Sequence, residues 1–327
     1  MTASIRAIYR ACSIEGAPAP YDRITMKVYY PADPQDSPEE RNTGVIPVDT
    51  RRAPYPVVVF MPGINLGPEG CAWLAMELVR QGFVAVTYSA VTEEMPGYVS
   101  LSPGLVLANL APDAYGTAPS CSTLAPILEE LKKLNEASVL AGLLDLEHIV
   151  LGGHSAGGTS ALLNANPDWF PGVCGVFSYA AHSGASVALG WPAETILPLP
   201  GKVPTLLMGG DRDGVIAASA HRYGRQEGDP CHTILRTFDE GGADSEAELF
   251  LFILRGGNHF SLAHGHDGTT GREFLDWDVE GDPAEIRACI ASLVSEFARM
   301  STGRDEDARG RLESAMDGPG IAIGRIR

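Results

Sequence analysis

The stretch Glu147-His148-Ile149-Val150-Leu151-Gly152-Gly153-His154-Ser155-Ala156-Gly157-Gly158 runs from an apolar, β-rich segment through a glycine-flanked serine into a row of small residues. Its first half has the composition of a buried strand, and its second half reads as a helix lying close to a sheet. A serine at the apex of so sharp a strand-to-helix turn is forced into a backbone conformation that L residues rarely adopt. Its neighbours two positions away must then lack bulk, so that strand and helix can approach, and Gly153 and Gly157 supply that room. With 37 glycines among 327 residues the five-residue pattern alone is weak, so its context has to carry the reading.

Outward from this turn, short apolar runs recur at Pro56–Met61, Phe83–Tyr88, Gly175–Tyr179, Pro204–Met208 and Leu249–Leu254. Continuous rather than alternating apolarity is expected of strands covered on both faces in a parallel sheet. Amphipathic helices fall between several of them. Cys71, Leu74, Ala75, Leu78 and Val79 carry one helical stripe, and Leu124, Ile127, Leu128, Leu131 and Leu134 a second, with Thr123 as N-cap. Asp282-Pro283, with Glu285 following, opens a third through Ile286, Ile290, Leu293 and Phe297. Before the first core strand, Ile5–Cys12 and Arg23–Tyr30 read as an antiparallel pair, and Pro31–Pro56 as a surface excursion. The alternation predicts an α/β fold with a doubly wound, mostly parallel sheet, built as a single domain over 1–300. The tail, 301–327, begins charged and ends with Ile321-Ala322-Ile323; the letters leave open whether it docks.

Two stretches break the alternation. Val91–Ser122 is rich in Pro, Gly and Ser, and Ser183–Val203 holds Trp191-Pro192 and Leu197-Pro198-Leu199-Pro200. Their placement after strands makes them candidates for lids or pocket walls, and equally for ordinary surface loops.

Composition narrows the partners. Asp and Glu outnumber Lys and Arg by 41 to 24, a formal charge of −17, which repels a nucleic-acid backbone and anionic headgroups. An acidic rim would disfavour an anionic substrate, although net charge does not locate the charges. No apolar run approaches the roughly eighteen residues of a membrane span. Residues 1–10 also carry no signal-peptide core, so a cytoplasmic location is expected. The six cysteines lack close pairing and read as reduced and structural, Cys71 and Cys289 on apolar helix faces. Oligomeric state is not legible.

Attack on an ester carbonyl needs an activated hydroxyl, a group that orients its base, and donors for the developing oxyanion. Ser155 is the candidate nucleophile. His259 is the candidate base, because it directly follows a buried strand inside the glycine-rich turn Gly256-Gly257-Asn258-His259-Phe260. After the preceding strand comes Gly209-Gly210-Asp211-Arg212-Asp213-Gly214. Asp213 is the preferred orienting acid, since the loop has had length to turn back, and Asp211 is the alternative, otherwise bracing the loop. Backbone N–H groups of Ala156 and of Ile64, in the loop Met61-Pro62-Gly63-Ile64-Asn65, are the candidate oxyanion donors. Taken alone, Pro62-Gly63 reads as a plain turn. His264-Gly265-His266-Asp267 could ligate a metal or form a loop at the site's rim. Beside the nucleophile, His154 reads as packing against the sheet or bonding locally, and Trp169, Phe170, Phe177 and Tyr179 read as core.

Together, Pro62-Gly63-Ile64-Asn65, Gly153-His154-Ser155-Ala156-Gly157-Gly158, Asp213-Gly214-Val215 and Gly257-Asn258-His259-Phe260 resemble the α/β-hydrolase superfamily over about Tyr21 to Met300. The branch they look most like holds chlorophyllases, platelet-activating-factor acetylhydrolases and cutinase-like polyester hydrolases. Pro62 and Ala156 replace the His and Arg usual in chlorophyllases, and Ser155 stands where dienelactone hydrolases carry Cys. The resemblance implies a serine carboxylic-ester hydrolase acting on a small or lipophilic ester, needing neither cofactor nor metal. It equally accommodates a thioesterase, acyltransferase or cyclase working on a biosynthetic acyl intermediate, and a non-catalytic binding module on the same fold.

Overall fold

The computed structural model describes residues 4–95, 97–226 and 228–327. Residues 1–3 of the N-terminal stretch, Pro96 in the first excursion and Glu227 lie outside the described residues. One ten-stranded sheet organises the chain. In sequence its strands are β1 (Ser4–Ser13), β2 (Arg23–Ala32), β3 (Tyr55–Met61), β4 (Val84–Met95), β5 (Tyr98–Leu101), β6 (Leu144–His154), β7 (Val173–Tyr179), β8 (Thr205–Gly210), β9 (Leu249–Leu254) and β10 (Ile321–Ile326). In space the order is β1-β2-β4-β3-β6-β7-β8-β9-β10, with β5 folded back on β4. The six strands β4, β3, β6, β7, β8 and β9 run parallel, and β2 and β10 flank them in the opposite sense.

The central strands are apolar without alternation because both faces of the sheet are covered. In β3, Val57, Val59 and Met61 face one buried cluster while Val58 and Phe60 face the other. Helices α3 (Leu124–Glu136), α4 (Ala156–Asn164) and α6 (His232–Arg236) contribute to the first cluster. Helices α2 (Ala72–Arg80), α7 (Pro283–Ser301) and α8 (Ala308–Ala315) contribute to the second. The helix that joins β3 to β4 covers the second face, and those that join β6 to β7 and β8 to β9 cover the first, so helices lie on both faces of the sheet. Asp282 caps α7 by accepting from the Ala284 N–H, and Pro283 occupies its first turn, as the letters anticipate. Thr123 precedes α3, but its side chain makes no cap; the hydroxyl donates instead to the Pro103 carbonyl.

Two segments differ from their reading in the letters, and the structure decides a third that the letters left open. Within the excursion before β3, α1 (Pro38–Thr43) forms between a Ser37 cap and Gly44 at φ 70°, and the chain returns inward so that Val48 and Asp49 are buried. The first part of the Val91–Ser122 excursion continues β4 and turns into β5. The tail docks. It supplies α8, whose Leu312 enters the core, and then β10, which pairs antiparallel along β9 from Ile321↔Leu254 to Ile326↔Phe250. An apolar strand such as β9 would otherwise present an unpaired edge, and β10 covers it.

Candidate active site

Loops that leave the C-terminal ends of β3, β6, β7, β8 and β9 meet at one cavity of about 320 Å³. Strand β6 ends at His154, and Ser155 turns the chain into α4 with φ 53° and ψ −126°, a conformation that an L residue holds only when its surroundings impose it. The surroundings are glycines. A Cβ on Gly153 would lie 2.4 Å from the Gly157 carbonyl carbon, and one on Gly157 would lie 2.2 Å from the Met61 carbonyl oxygen. The two glycines let α4 rest directly on β6 and β3. Gly157→Ala should therefore destabilise the fold by roughly 1–3 kcal/mol, since backbone rather than a flexible side chain has to move. Urea unfolding is the check, and an unchanged midpoint would mean that the close approach is not required.

The base loop follows β9 and the acid loop follows β8. His259 and Asp213 are 2 % and 1 % exposed, and the His259 Nδ1–H donates to both Asp213 oxygens, at 3.0 and 2.9 Å. Asp213 also caps α5 (Gly214–Ala218), accepting from the Ile216 N–H at 2.8 Å. Asp211 does not reach the imidazole. Its carboxylate accepts the Gly256 N–H at 2.7 Å and so ties the acid loop to the base loop. With Nδ1 engaged, the other imidazole nitrogen is the one left for chemistry. Among the described residues no side chain or backbone group hydrogen-bonds His259 Nε2 or Ser155 Oγ, and both residues line the cavity.

The proposed oxyanion donors line it too. Ile64 and Ala156 have backbone N–H groups without an acceptor among the described residues, whereas the next N–H along, that of Asn65, is spent on the Leu101 carbonyl at 3.0 Å. Gly63 sits against the turn itself: a Cβ there would be 2.8 Å from His154 Nδ1 and 3.3 Å from Ser155 Cβ. The Pro62-Gly63 turn thus brings the Ile64 loop beside the serine.

Several groups at the site carry no motif in the sequence. Asp276 accepts N–H bonds from Gly214 at 2.9 Å and Phe260 at 3.2 Å, clamping the acid loop to the base loop. Burial, and then the neighbouring Asp213 charge, hold its carboxyl above the usual range. Tyr179, read as core, is buried and also donates to the Asn258 carbonyl at 2.7 Å, bracing the turn that presents His259. His154 donates from Nε2 to the His259 carbonyl at 2.9 Å, and its Nδ1 is buried without a partner among the described residues. The cavity wall opposite comes from Val215 to Tyr223 and from Thr270 to Arg272. Neither segment stood out in the letters, because the first holds only the short α5 and one 3-10 turn, too brief to show a period, and the second is irregular.

The two stretches read as possible lids behave differently. Among the described residues of Val91–Ser122 only Tyr98 lines the cavity, and none of Ser183–Val203 does. Those segments pack on each other: Trp191 donates its indole N–H to the Leu110 carbonyl at 2.7 Å, and its ring meets Tyr115 edge-on. Their apolar residues, Leu110, Ala185 and Leu197, form a small core of their own with Leu163. In the His264–Asp267 loop, His266 pairs with Glu273 at 3.1 Å and stacks on Phe260. Among the described residues no three His, Cys, Asp or Glu side chains converge as a metal site. All six cysteines are unpaired, and burial pushes the Cys71 thiol well up. No helix among the described residues is long and apolar enough to cross a membrane.

Burial drives two histidines towards neutrality: His154 titrates at about 3 and His182 at about 4. In both, desolvation of the charged form is the main cause. Above about pH 6.5 each is neutral folded and unfolded, and contributes nothing to pH dependence. Below that, the unfolded chain takes protons that the folded chain refuses, so stability falls as pH falls, by about 1.4 kcal/mol per unit for each histidine. Between about pH 6.5 and pH 5 the pair should therefore remove on the order of 4 kcal/mol. Urea unfolding across that window measures it, and a flat profile would mean that the two rings are protonated inside the fold.

Compared with known proteins, the chain matches no family model, and no curated protein resembles it significantly in sequence.

Proposed function

We propose that this chain is a serine hydrolase of carboxylic esters with the α/β-hydrolase fold. The observation that carries the reading is the imidazole of His259, held by the buried Asp213 carboxylate and facing the same cavity as a serine on a strained strand-to-helix turn. The fold supports it. A parallel sheet whose second strand runs antiparallel, with the serine after β6 and the acid and base after β8 and β9, is the arrangement expected of that superfamily.

The reaction follows from the parts. As Ser155 Oγ bonds to the ester carbonyl carbon, its proton passes to His259 Nε2, and Asp213 stabilises the imidazolium through Nδ1–H. The carbonyl oxygen becomes an alkoxide, which the Ile64 and Ala156 N–H groups receive. Collapse of this intermediate breaks the bond to the alcohol oxygen, which departs with the imidazolium proton and leaves an acyl-serine. Water, deprotonated by the same imidazole, then attacks the acyl carbon; the acid leaves and Ser155 regains its proton. The N-terminus of α4 adds its positive dipole end at the oxyanion. The test is turnover of p-nitrophenyl acetate and butyrate by the folded protein. Release of nitrophenolate that depends on Ser155 supports the reading, and a folded protein without turnover speaks against it.

A further inference from the structure

The cavity holds more charge than the hydrolysis of a neutral ester uses. Arg222 and Arg272 line it, from the turn after α5 and from the loop after the base, and neither has a part in the steps above. In a chain with 41 acidic residues and a net charge of −17, no Asp or Glu is among the described residues that line this cavity. Among the described residues, too, neither guanidinium makes an ion pair or a side-chain hydrogen bond. Other arginines close to acidic side chains are forked onto them, Arg236 onto Glu240 and Arg311 onto Glu296. Arg272 is only partly exposed, and burial together with the neighbouring Arg222 charge works against its positive charge. Two like charges brought together on one wall, without a carboxylate between them, are stabilised when an anion binds.

We propose that Arg222 and Arg272 form an anion subsite, so that the substrate is a short ester carrying a carboxylate or phosphate in addition to the bond that is cut. This rests on the serine-hydrolase reading of the same cavity. The planar guanidinium fork suits either oxyanion, and a volume of about 320 Å³ has room for a short spacer between the anion and the scissile carbonyl. The Glu273 carboxylate beside Gly271 does not line the cavity and is turned to His266 at 3.1 Å.

Calorimetric titration of the wild-type protein with glutarate, inorganic phosphate and neutral glutaramide tests the subsite without turnover. At least one of the two anions should bind about tenfold or more tighter than glutaramide, and that advantage should vanish in Arg222→Met/Arg272→Met, whose apolar stems keep the packing. Whichever anion binds tells carboxylate from phosphate. In parallel, mono-p-nitrophenyl adipate should exceed p-nitrophenyl hexanoate in kcat/KM by about tenfold or more, a ratio that collapses towards one in the double variant and recovers partly in Arg222→Lys/Arg272→Lys. Anions that bind no better than glutaramide, or a preference indifferent to the arginines, would overturn the subsite. Anion binding by a protein that turns over no ester would instead overturn the hydrolase reading and leave the subsite standing.

Discussion

Ser155→Ala should lower kcat on p-nitrophenyl butyrate by about five to six powers of ten, the scale of nucleophile loss in a triad acting as a unit. Stability should hardly change. Ser155 Oγ makes no hydrogen bond among the described residues, and alanine meets the same positive φ that serine already tolerates, so the unfolding free energy should stay within about 0.5 kcal/mol of wild type. That combination separates chemistry from folding. A variant that keeps most of its turnover, once contaminating esterase is excluded, would move the nucleophile elsewhere; a variant that loses activity only because it unfolds would say nothing special about the hydroxyl.

Asp213→Asn should cost about four powers of ten in kcat. An asparagine there can still accept from the Ile216 N–H and cap α5, so the loop keeps its course. Its amide nitrogen, however, can donate to Nδ1, which favours the tautomer with the proton on Nε2 and removes the base from the serine's side. Asp211→Asn is the matched control. Its side-chain oxygen still accepts the Gly256 N–H, so kcat should stay within about tenfold of wild type. Steady-state rates at neutral pH compare the two, and similar losses from both substitutions would mean that the loop's shape matters rather than the carboxylate on the imidazole.

What the letters revealed depended on how locally each feature is determined. Strands β3 and β9 are covered on both faces, so their unbroken apolar runs marked them with almost no help from context. The turn at Ser155 was readable because its glycines answer a steric demand a few residues away in the same chain. The preference for Asp213 over Asp211 needed only loop length, and the structure brings Asp213 onto the imidazole while Asp211 holds Gly256. Residues whose role lies in long-range pairing left no such trace. Asp276 acts on two loops whose bonded residues, Gly214 and Phe260, precede it by 62 and 16 positions, and nothing in its neighbours announces that. Strand β10 is a strand because β9 offers an edge, a fact that Ile321-Ala322-Ile323 does not contain. The Trp191 and Leu197 segment, apolar and irregular, could be read equally as a pocket wall or a surface loop, and its apolar residues pack with Leu110 and Leu163 away from the cavity lining. Net charge left the site open, since it sums over the surface, whereas two arginines from distant loops line the cavity.

Incubation with an alkyl fluorophosphonate, followed by proteolysis and mass spectrometry of the peptides, asks whether one hydroxyl in this fold is activated by its imidazole. The expected result is a single adduct on Ser155, formed more slowly by about two or more powers of ten in His259→Ala. A folded protein that stays unmodified, or one that takes the label on another residue, would dissolve the link between the turn at Ser155 and the Asp213–His259 pair.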